Sequence, residues 1–530
     1  MRRRSSLTSA DVSADTGLLS PVRAGTAVEE ATGDAAYVRA LLAAEVALVR
    51  AQASLGHAPA GAAAAVASAA ADTARFDARS LALRARTGGN PVIPLVADLT
   101  AAVAEEAPEA AAHVHRGATS QDILDTAAMM VVSKALGLIL ADLDRVAAAL
   151  ARTAAEHRDT PMAGRTLTQH AVPTTFGLKA VGWRSLVLDA SARLTAVRST
   201  LPAQLGGAAG TLAAFDAFVP SGIPESRPDA SSTDASTTDG SARVASAADV
   251  SATQDVGVRL VEAYATATGL AAPALPWHSL RTPVADLGGA LAFASGALGK
   301  LAADVLLLSR TEIGELSEKT GGPSSAMPHK ANPARAVLIA SAARQVPALA
   351  GILYGSLAAE DERPPGAWHA EWQPLREALR TVGGAAEAAA ALAEGLRVHP
   401  RRMRENLGIT GGLIVSERLV AALSDLVGRA AARTAVTSAA ARAARDGTEL
   451  HEALRQEPAL ADVISGDWLR TLTDPAGYTG SSGVLVDRAL RRPNAPSCRC
   501  GHPPSPGAPS HPAAPALSAN PSAPADPGAP

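Results

Sequence analysis

The stretch AAMMVVSKALGLILADLDRVAAAL (residues 127–150) decides the fold class of this chain. Its large apolar side chains recur at alternating spacings of three and four residues: Met129, Val132, Leu136, Ile139, Leu143, Val146 and Leu150. This spacing follows the 3.6-residue turn of an α-helix, and at this length it is typical of the seam of a helix bundle. We therefore expect a long helix that begins near Thr119 and lies at the centre of the molecule.

The composition of the whole chain favours helices as well. Of its 530 residues, 47% are hydrophobic but only 3% are aromatic, so the core must consist of closely packed Ala, Leu and Val. Ala and Leu are among the strongest helix formers, and long alternating runs of β-branched residues are missing. Further helices are predicted at residues 34–55, 254–268, 284–318 and 334–358. The predicted fold class is all-α.

The charge balance argues against several kinds of partner. Lys and Arg number 48 against 51 Asp and Glu, for a formal charge of −3, which gives no reason to expect nucleic acid or an anionic membrane surface. No uninterrupted apolar run is judged long enough to span a bilayer. The basic start MRRRSSLTSADVSADTG lacks the apolar segment of a signal peptide.

The cysteine content of the chain fits a cytoplasmic location. Cys498 and Cys500 are the two cysteines of the chain, so no disulfide framework can hold its body, which fits a reducing cytoplasm. With His502 they offer three potential metal ligands, too few for a closed structural zinc site. We expect a cytoplasmic protein that uses no metal and no cofactor.

Three segments are too poor in large apolar residues to join a core. Residues 1–22 are predicted to form a disordered leader, and residues 221–250, rich in Ser, Thr, Asp and Ala, a disordered insertion. Residues 492–530, rich in Pro, Ala and Ser, are predicted to form a disordered tail. Such segments cannot bury enough surface to offset the entropy lost on ordering.

Polar clusters interrupt the helices at three places. GGPSSAMPHKANPARA (residues 321–336) is rich in glycine and proline and must be a loop. HVHRGATSQDILDTA (residues 113–127) places Thr119, Ser120 and Gln121 at a helix start, where hydroxyls cap the helix and free N–H groups can bind an anion. GRTLTQHAVPTTFGLKAVGW (residues 164–183) places polar side chains before a proline. Taken alone, each cluster also has a structural interpretation: its Ser and Thr residues can simply cap helices, and its histidine can be a structural residue.

Taken together, the three clusters resemble the three signature regions of the fumarase/aspartase superfamily. The mobile loop of that family reads Ser-Ser-x-Met-Pro-x-Lys-x-Asn-Pro, which is matched in order by Ser324, Ser325, Met327, Pro328, Lys330, Asn332 and Pro333. The segments QLGGAAGTLAAF (204–215), LPWHSLRTPVADL (275–287) and GAWHAEWQPL (366–375) are similar to those of its bacterial 3-carboxy-cis,cis-muconate cycloisomerases. The resemblance runs from about residue 18 to residue 491, outside the insertion.

The resemblance implies an all-α subunit in three parts. These are an N-terminal helical domain at residues 23–118, a central bundle of long helices at 119–370 and a C-terminal helical domain at 371–491. It also implies a homotetramer in which each active site takes the three polar regions from three different chains. The substrate would be a small polycarboxylate, and the expected activity is lactonisation of 3-carboxymuconate in protocatechuate degradation, the β-ketoadipate pathway.

The resemblance assigns roles to individual residues. Ser324 would be the catalytic acid/base, with His115 orienting or protonating the substrate. The residues expected to bind substrate are Lys330 and Asn332 in the loop, Thr119, Ser120 and Gln121 at the helix start, and Gln169 and His170 in the third cluster. Because a tricarboxylate needs additional positive charge, Arg281 and His278 are further candidates, and Asn90 is a weaker one. For Arg281 a structural ion pair is an equal alternative.

One departure from the family pattern bears on the reaction. Many lyases of the superfamily have histidine after Gly-Arg-Thr, where this chain has Leu167, with a histidine at position 170 instead. This argues against fumarase, aspartase and adenylosuccinate lyase activities. Two alternatives to the cycloisomerase stay open: a carbon–nitrogen lyase that forms fumarate from an amino- or nitrosuccinate-type substrate, and a non-catalytic structural homologue.

Overall fold

The computed structural model describes residues 16–217, 255–319, 322, 327, 330–460 and 464–494. The predicted insertion and the predicted catalytic serine therefore lie outside the described residues. The described chain is mainly helical, which confirms the predicted all-α class. Its α-helices are α1 (Ala27–Ala31), α2 (Asp34–Ser54), α3 (Ala60–Ala71), α4 (Ala78–Gly88), α5 (Val92–Glu106), α6 (Ser120–Glu156), α7 (Phe176–Ser199), α8 (Ala213–Ala217), α9 (Val256–Thr268), α10 (Thr282–Leu308), α11 (Ala334–Gly355), α12 (Ala367–Glu394), α13 (Pro400–Leu407), α14 (Ser416–Val427), α15 (Arg429–Asp446), α16 (Leu450–Arg455), α17 (Gly466–Thr473) and α18 (Ser482–Leu490).

Two small antiparallel sheets accompany the helices. Strand β1 (Pro161–Thr166) pairs with β2 (Gln169–Thr175) in a hairpin, and β3 (Leu316–Glu318) pairs with β4 (Leu396–Val398). Short 3-10 helices occupy Thr73–Arg75, Ala111–His113, Gly408–Thr410, Leu413–Val415 and Pro475–Gly477.

The long helices form the centre of the molecule. Helix α6 packs against α7 and α12, and α10 packs against α7, α11 and α12. The seven apolar residues of the α6 seam are all buried in this central core, each with at most 1% of its surface exposed. The prediction from their spacing is therefore confirmed.

Two smaller hydrophobic clusters lie beside the central core. One joins α2, α3 and α5 to the first turns of α6, and includes Leu48, Leu95 and Ile123. The other joins α14, α15 and α16, and includes Leu419 and Leu454. These clusters match the expected order of an N-terminal helical part, a central bundle and a C-terminal helical part, although the domain boundaries themselves stay a prediction.

The predicted end of one helix was wrong. The helix expected at 284–318 ends at Leu308, and its last predicted residues form β3, which pairs with β4 instead of continuing the helix. Val22, assigned to the leader, is buried in the central core. Arg492, assigned to the tail, donates a hydrogen bond of 2.7 Å to Asp189 on α7. Residues 1–15 and 495–530 lie outside the described residues.

In the part of the chain that the structure describes, three helices, α6, α10 and α11, are long and apolar enough to cross a membrane by length and composition alone. The expectation that no such run exists was wrong. In the most apolar 18-residue stretch of each helix, 61% of the residues of α6, 50% of those of α10 and 39% of those of α11 are buried inside the protein. The exposed face of α11 carries Val337 and Ile352, each about half exposed.

Candidate active site

The start of α6 is the best-formed polar cluster of the described chain. Asp122, at the third helical position, accepts a hydrogen bond of 3.0 Å from the backbone N–H of Thr119 and so fixes the first turn. The same carboxylate accepts bonds from the backbone N–H groups of Gly206 (2.9 Å) and Gly207 (3.0 Å). His278 Nε2 lies 2.7 Å from its Oδ1. Asp122 therefore ties two distant loops to the helix start.

Of the three predicted carboxylate binders in this cluster, Thr119 and Ser120 are half-buried, whereas Gln121 is fully buried. The side-chain N–H₂ of Gln121 donates to the His278 carbonyl (2.9 Å) and to Asp125 (3.2 Å). Its amide oxygen accepts a bond of 3.1 Å from Arg363. The expectation of direct substrate contact by the Gln121 side chain is thus not supported, because its amide is engaged within the protein.

His115 precedes this helix in a left-handed backbone conformation, with φ of 56°. Its Nδ1 lies 2.6 Å from Oε1 of Glu45, a fully buried residue of α2. Burial alone would lower the pKa of His115, but the hydrogen bond and charge of Glu45, with a smaller contribution from Asp122, raise that pKa above its ordinary value. A left-handed non-glycine residue with a buried carboxylate partner is the kind of local strain that accompanies functional sites.

Arg281 is a structural residue in this fold. It is buried, with 2% of its surface exposed. Its guanidinium donates to both oxygens of Asp125 (2.7 and 3.2 Å) and to both oxygens of Glu371 (3.0 and 2.6 Å). Two carboxylates leave this cation no free charge for a substrate. The interpretation of Arg281 as a substrate ligand is corrected to the alternative of an internal ion pair.

Two other candidates also have internal partners. The amide oxygen of Asn90 accepts bonds from the backbone N–H groups of Val92 (3.0 Å) and Ile93 (3.4 Å) at the start of α5. Asn90 is therefore a helix-capping residue rather than an exposed ligand. His278 is buried, and its ring is held by Asp122.

The β1–β2 hairpin carries the second predicted region. Its two-residue turn, Leu167 and Thr168, has positive φ at both positions (47° and 72°), which Asn-Gly would adopt more easily. Leu167 is 96% exposed, and Gln169 is exposed beside it. Burial, with the positive charge of Arg165, lowers the pKa of the half-buried His170, so its imidazole is neutral near neutral pH.

The third region is the loop between β3 and α11. Gly322 and Asn332 exchange backbone hydrogen bonds of 2.7 and 3.0 Å, which close the base of the loop. Lys330 is exposed. Ser324 and Ser325 lie outside the described residues. At the end of the loop, Glu318 accepts a bond of 3.0 Å from the backbone N–H of Ala336 in the first turn of α11.

The three regions do not meet within one chain. Helix α6 has 37 residues, so at 1.5 Å per residue its two ends are about 55 Å apart. The first region lies at its start, whereas the hairpin follows its end. Arg165 of the hairpin pairs with Glu315 (2.7 and 3.1 Å), just before β3, so the second and third regions share the far end. Among the described residues, the first region therefore lies at the opposite end of α6 from the other two.

Two residues of the first region were missed by the sequence analysis, Arg363 and Glu45. Arg363 lies in the loop between α11 and α12 and donates to Thr119 Oγ1 (2.9 Å), to Gln121 Oε1 (3.1 Å) and to the Ala208 carbonyl (3.2 Å). The polar run AEDERPPG before GAWHAEW was the available signal for it. A charged residue inside the apolar periodicity of α2 was the signal for Glu45.

Comparisons with known proteins agree with this architecture. The family model described as Lyase matches residues 23–221 and 230–348, and the model of the adenylosuccinate lyase C-terminus matches residues 412–489. A nitrosuccinate lyase from Streptomyces davaonensis is 53% identical over 91% of this chain and 95% of its own length. A 3-carboxy-cis,cis-muconate cycloisomerase from Pseudomonas aeruginosa is 38% identical over 87% of this chain and 93% of its own.

A solved structure gives the same result. The 3-carboxy-cis,cis-muconate lactonizing enzyme from Pseudomonas putida superposes with a TM-score of 0.78 at 35% identity, covering 89% of this chain and 98% of that one. The residues matched by the Lyase family model include all three polar regions. The chain therefore belongs to the fumarase/aspartase superfamily and is an enzyme of the lyase type.

Proposed function

We propose that this enzyme is a carbon–nitrogen lyase that eliminates nitrite from a nitrosuccinate-type substrate to form fumarate. The observation that carries the proposal is the 53% identity to a nitrosuccinate lyase over 95% of that protein, against 36% and 38% for two cycloisomerases. The lactonising activity expected from the flanking segments thus becomes the second candidate.

The chemistry of the elimination is balanced without a cofactor. A base removes a proton from one methylene carbon, and the C–H electron pair becomes the carbon–carbon double bond. The C–N bond of the neighbouring carbon breaks, and its electron pair leaves with nitrite. Negative charge develops on the carboxylate beside the deprotonated carbon, so fixed donors around that carboxylate lower the barrier. The products are fumarate, nitrite and a proton on the base.

The leaving group explains why Leu167 is tolerated where related lyases have histidine. An amine is a strong base and needs an acid to protonate it as it departs, whereas nitrite leaves as a stable anion. Leu167 carries no acid, and the neighbouring His170 has a lowered pKa, so its imidazolium form is scarce. The absence of an acid at this position argues against an aminosuccinate substrate. It is compatible with nitrite as the leaving group, and also with lactonisation, in which a carboxylate adds to the double bond and no amine leaves.

The residues take the following roles in this proposal. Ser324 is the base, and Lys330 and Asn332 hold the carboxylate on which charge develops. Thr119 and Ser120, with the free N–H groups of the α6 start, hold the second carboxylate. Because the first region lies about 55 Å from the other two in one chain, and because the family resemblance implies four subunits, we infer a homotetramer with active sites shared between subunits.

The test is a direct comparison of two substrates. We expect the purified protein to convert nitrosuccinate to fumarate and nitrite in equal amounts, measured by ultraviolet absorbance and by a colorimetric nitrite assay. With 3-carboxymuconate, loss of the diene absorbance should be absent or far slower. Rapid lactonisation without nitrite release would reverse the order of the two candidates. Inactivity on both substrates would contradict the proposal.

A further inference from the structure

The charges beneath the start of α6 are almost entirely satisfied within the protein. The carboxylate of Asp122 accepts hydrogen bonds from three backbone N–H groups and contacts His278. Asp125 and Glu371 share Arg281. These groups form a buried network at the helix start, and Arg281, which is shared by two carboxylates, has no positive charge left over for an anionic substrate.

Arg363 differs from Arg281 in its exposure and in the charge of its hydrogen-bond partners. It is half-buried, and its three hydrogen bonds all go to neutral oxygens: a hydroxyl, an amide and a backbone carbonyl. Within the described chain it has no ion pair, although Glu360, Asp361 and Glu362 directly precede it. Their side chains are exposed instead. The positive charge of Arg363 is therefore held in place without being neutralised.

The bonding pattern leaves one edge of the guanidinium available. Arginine has five N–H donors. Its Nε–H bonds Gln121, and the two N–H groups of Nη2 bond Thr119 and Ala208, so in the described part of the chain the two N–H groups of Nη1 have no acceptor. Bonding to Thr119 also places this cation beside Ser120 and the positive end of a 37-residue helix.

We propose that Arg363 binds a carboxylate of the substrate through Nη1 and selects for substrates that are anionic at this end. Arg363 thus supplies the positive charge that the sequence analysis assigned to Arg281. A half-buried guanidinium that keeps its charge suits this task, because hydrogen bonds to a charged group are stronger than those between neutral groups. The inference rests on the proposed function for the site, but not on nitrite being the leaving group.

The test is equilibrium binding of fumarate by isothermal titration calorimetry, with the monomethyl ester of fumarate as the probe that lacks one carboxylate. Arg363→Met is expected to weaken fumarate binding by roughly 10- to 100-fold, the value of a hydrogen bond to a charged group. Arg363→Lys should retain part of the affinity. In kinetics with nitrosuccinate, KM should rise more than kcat falls, because a ground-state contact is lost.

Two controls separate this role from a structural one. Glu362→Gln alters the charge of the same loop without touching Thr119 or Gln121, and should bind fumarate as the wild type does. If Arg363 merely supports the loop, Arg363→Met will weaken binding of the diacid and of the ester equally, and Arg363→Lys will not rescue it. If Arg363 binds the carboxylate, the ester will lose much less affinity than the diacid.

The outcomes also distinguish this inference from the proposed function. Nitrosuccinate turnover with an unchanged KM in Arg363→Met would overturn the role of Arg363 and leave the lyase activity intact. Selective loss of diacid binding in a protein that does not convert nitrosuccinate would support Arg363 and refute the lyase. A wild type that binds neither fumarate nor nitrosuccinate would overturn the role of Arg363. If Arg363→Met fails to fold, Arg363→Lys and Arg363→Gln carry the same comparison.

Discussion

Replacing Arg281 with methionine tests the most consequential correction to the predicted site. Methionine keeps much of the apolar stem of arginine but removes the guanidinium that bonds four carboxylate oxygens at 2.6 to 3.2 Å. Asp125 and Glu371 would then face each other in the interior without a cation. The expected result is a large loss of stability.

The magnitude follows from the burial of all three side chains. Removing one partner of a buried ion pair typically costs ~3–5 kcal/mol, because the remaining charge stays uncompensated. Burial already raises the pKa of Glu371 against the opposing effect of Arg281. In the variant that opposition is gone, so Glu371 takes up a proton on folding. The stability deficit should therefore be greatest near neutral pH and should shrink as the pH falls through the raised pKa.

The assay is urea and thermal unfolding of both proteins at one protein concentration, repeated across pH. Arg145→Met is the matched control, because Arg145 is about half exposed while paired with Glu394 and Asp142. It should cost less than ~1 kcal/mol. An Arg281→Met protein as stable as the wild type but unable to bind fumarate would refute the reasoning and restore Arg281 as a substrate ligand.

Four further predictions concern the proposed catalytic serine, the His115–Glu45 pair, the assembly and the predicted insertion. Ser324→Ala should lower turnover by roughly two to four orders of magnitude with little change in fumarate binding, whereas Ser325→Ala should retain most activity; turnover assays and calorimetry decide. Glu45→Gln should lower the pKa of His115, because only the smaller effect of Asp122 then opposes burial. In the wild type, protonated His115 stabilises the fold below its ordinary pKa, and this stabilisation is lost as the pH rises through the raised pKa. The variant should therefore lose the stabilisation at a lower pH. An NMR titration of the imidazole would show the lower pKa. Light scattering should find a homotetramer; an active monomer would contradict the shared site. Deleting residues 221–250 should leave thermal stability and turnover nearly unchanged; a large loss of either would show that the insertion packs.

The helices could be predicted from sequence because their signal is local. Residues 34–55 were expected to be helical and α2 spans Asp34–Ser54, since apolar periodicity and helix propensity act within a few turns. The β1–β2 hairpin could not be predicted in the same way. Its turn is Leu167-Thr168 rather than a sequence that favours positive φ, and its strands lack a clear alternation of apolar and polar residues. At this turn, contacts with the rest of the fold outweigh the preference of Leu167 and Thr168 for negative φ.

The partners of the site residues could not be read from the chain because they are distant in sequence. Arg281 meets Asp125 across 156 residues, and Arg363 meets Thr119 across 244. Sequence motifs located Thr119 and Ser120 correctly at a helix start, but they could not show which arginine is neutralised internally. That distinction depends on packing. It gives Arg281 the structural role and leaves Arg363 as the proposed carboxylate ligand.

The length of α6 connects the fold to the chemistry. The apolar seam that predicts a long helix also separates the polar cluster at its start from the hairpin after its end by about 55 Å. A shorter helix would bring the clusters together but would bury less of the seam. With a long helix, the proposed shared site needs a neighbouring chain whose hairpin end lies beside the start of α6. We expect the partly exposed apolar face of α11 to contact that neighbour, so the proposed assembly and the proposed shared site would depend on the same helix bundle.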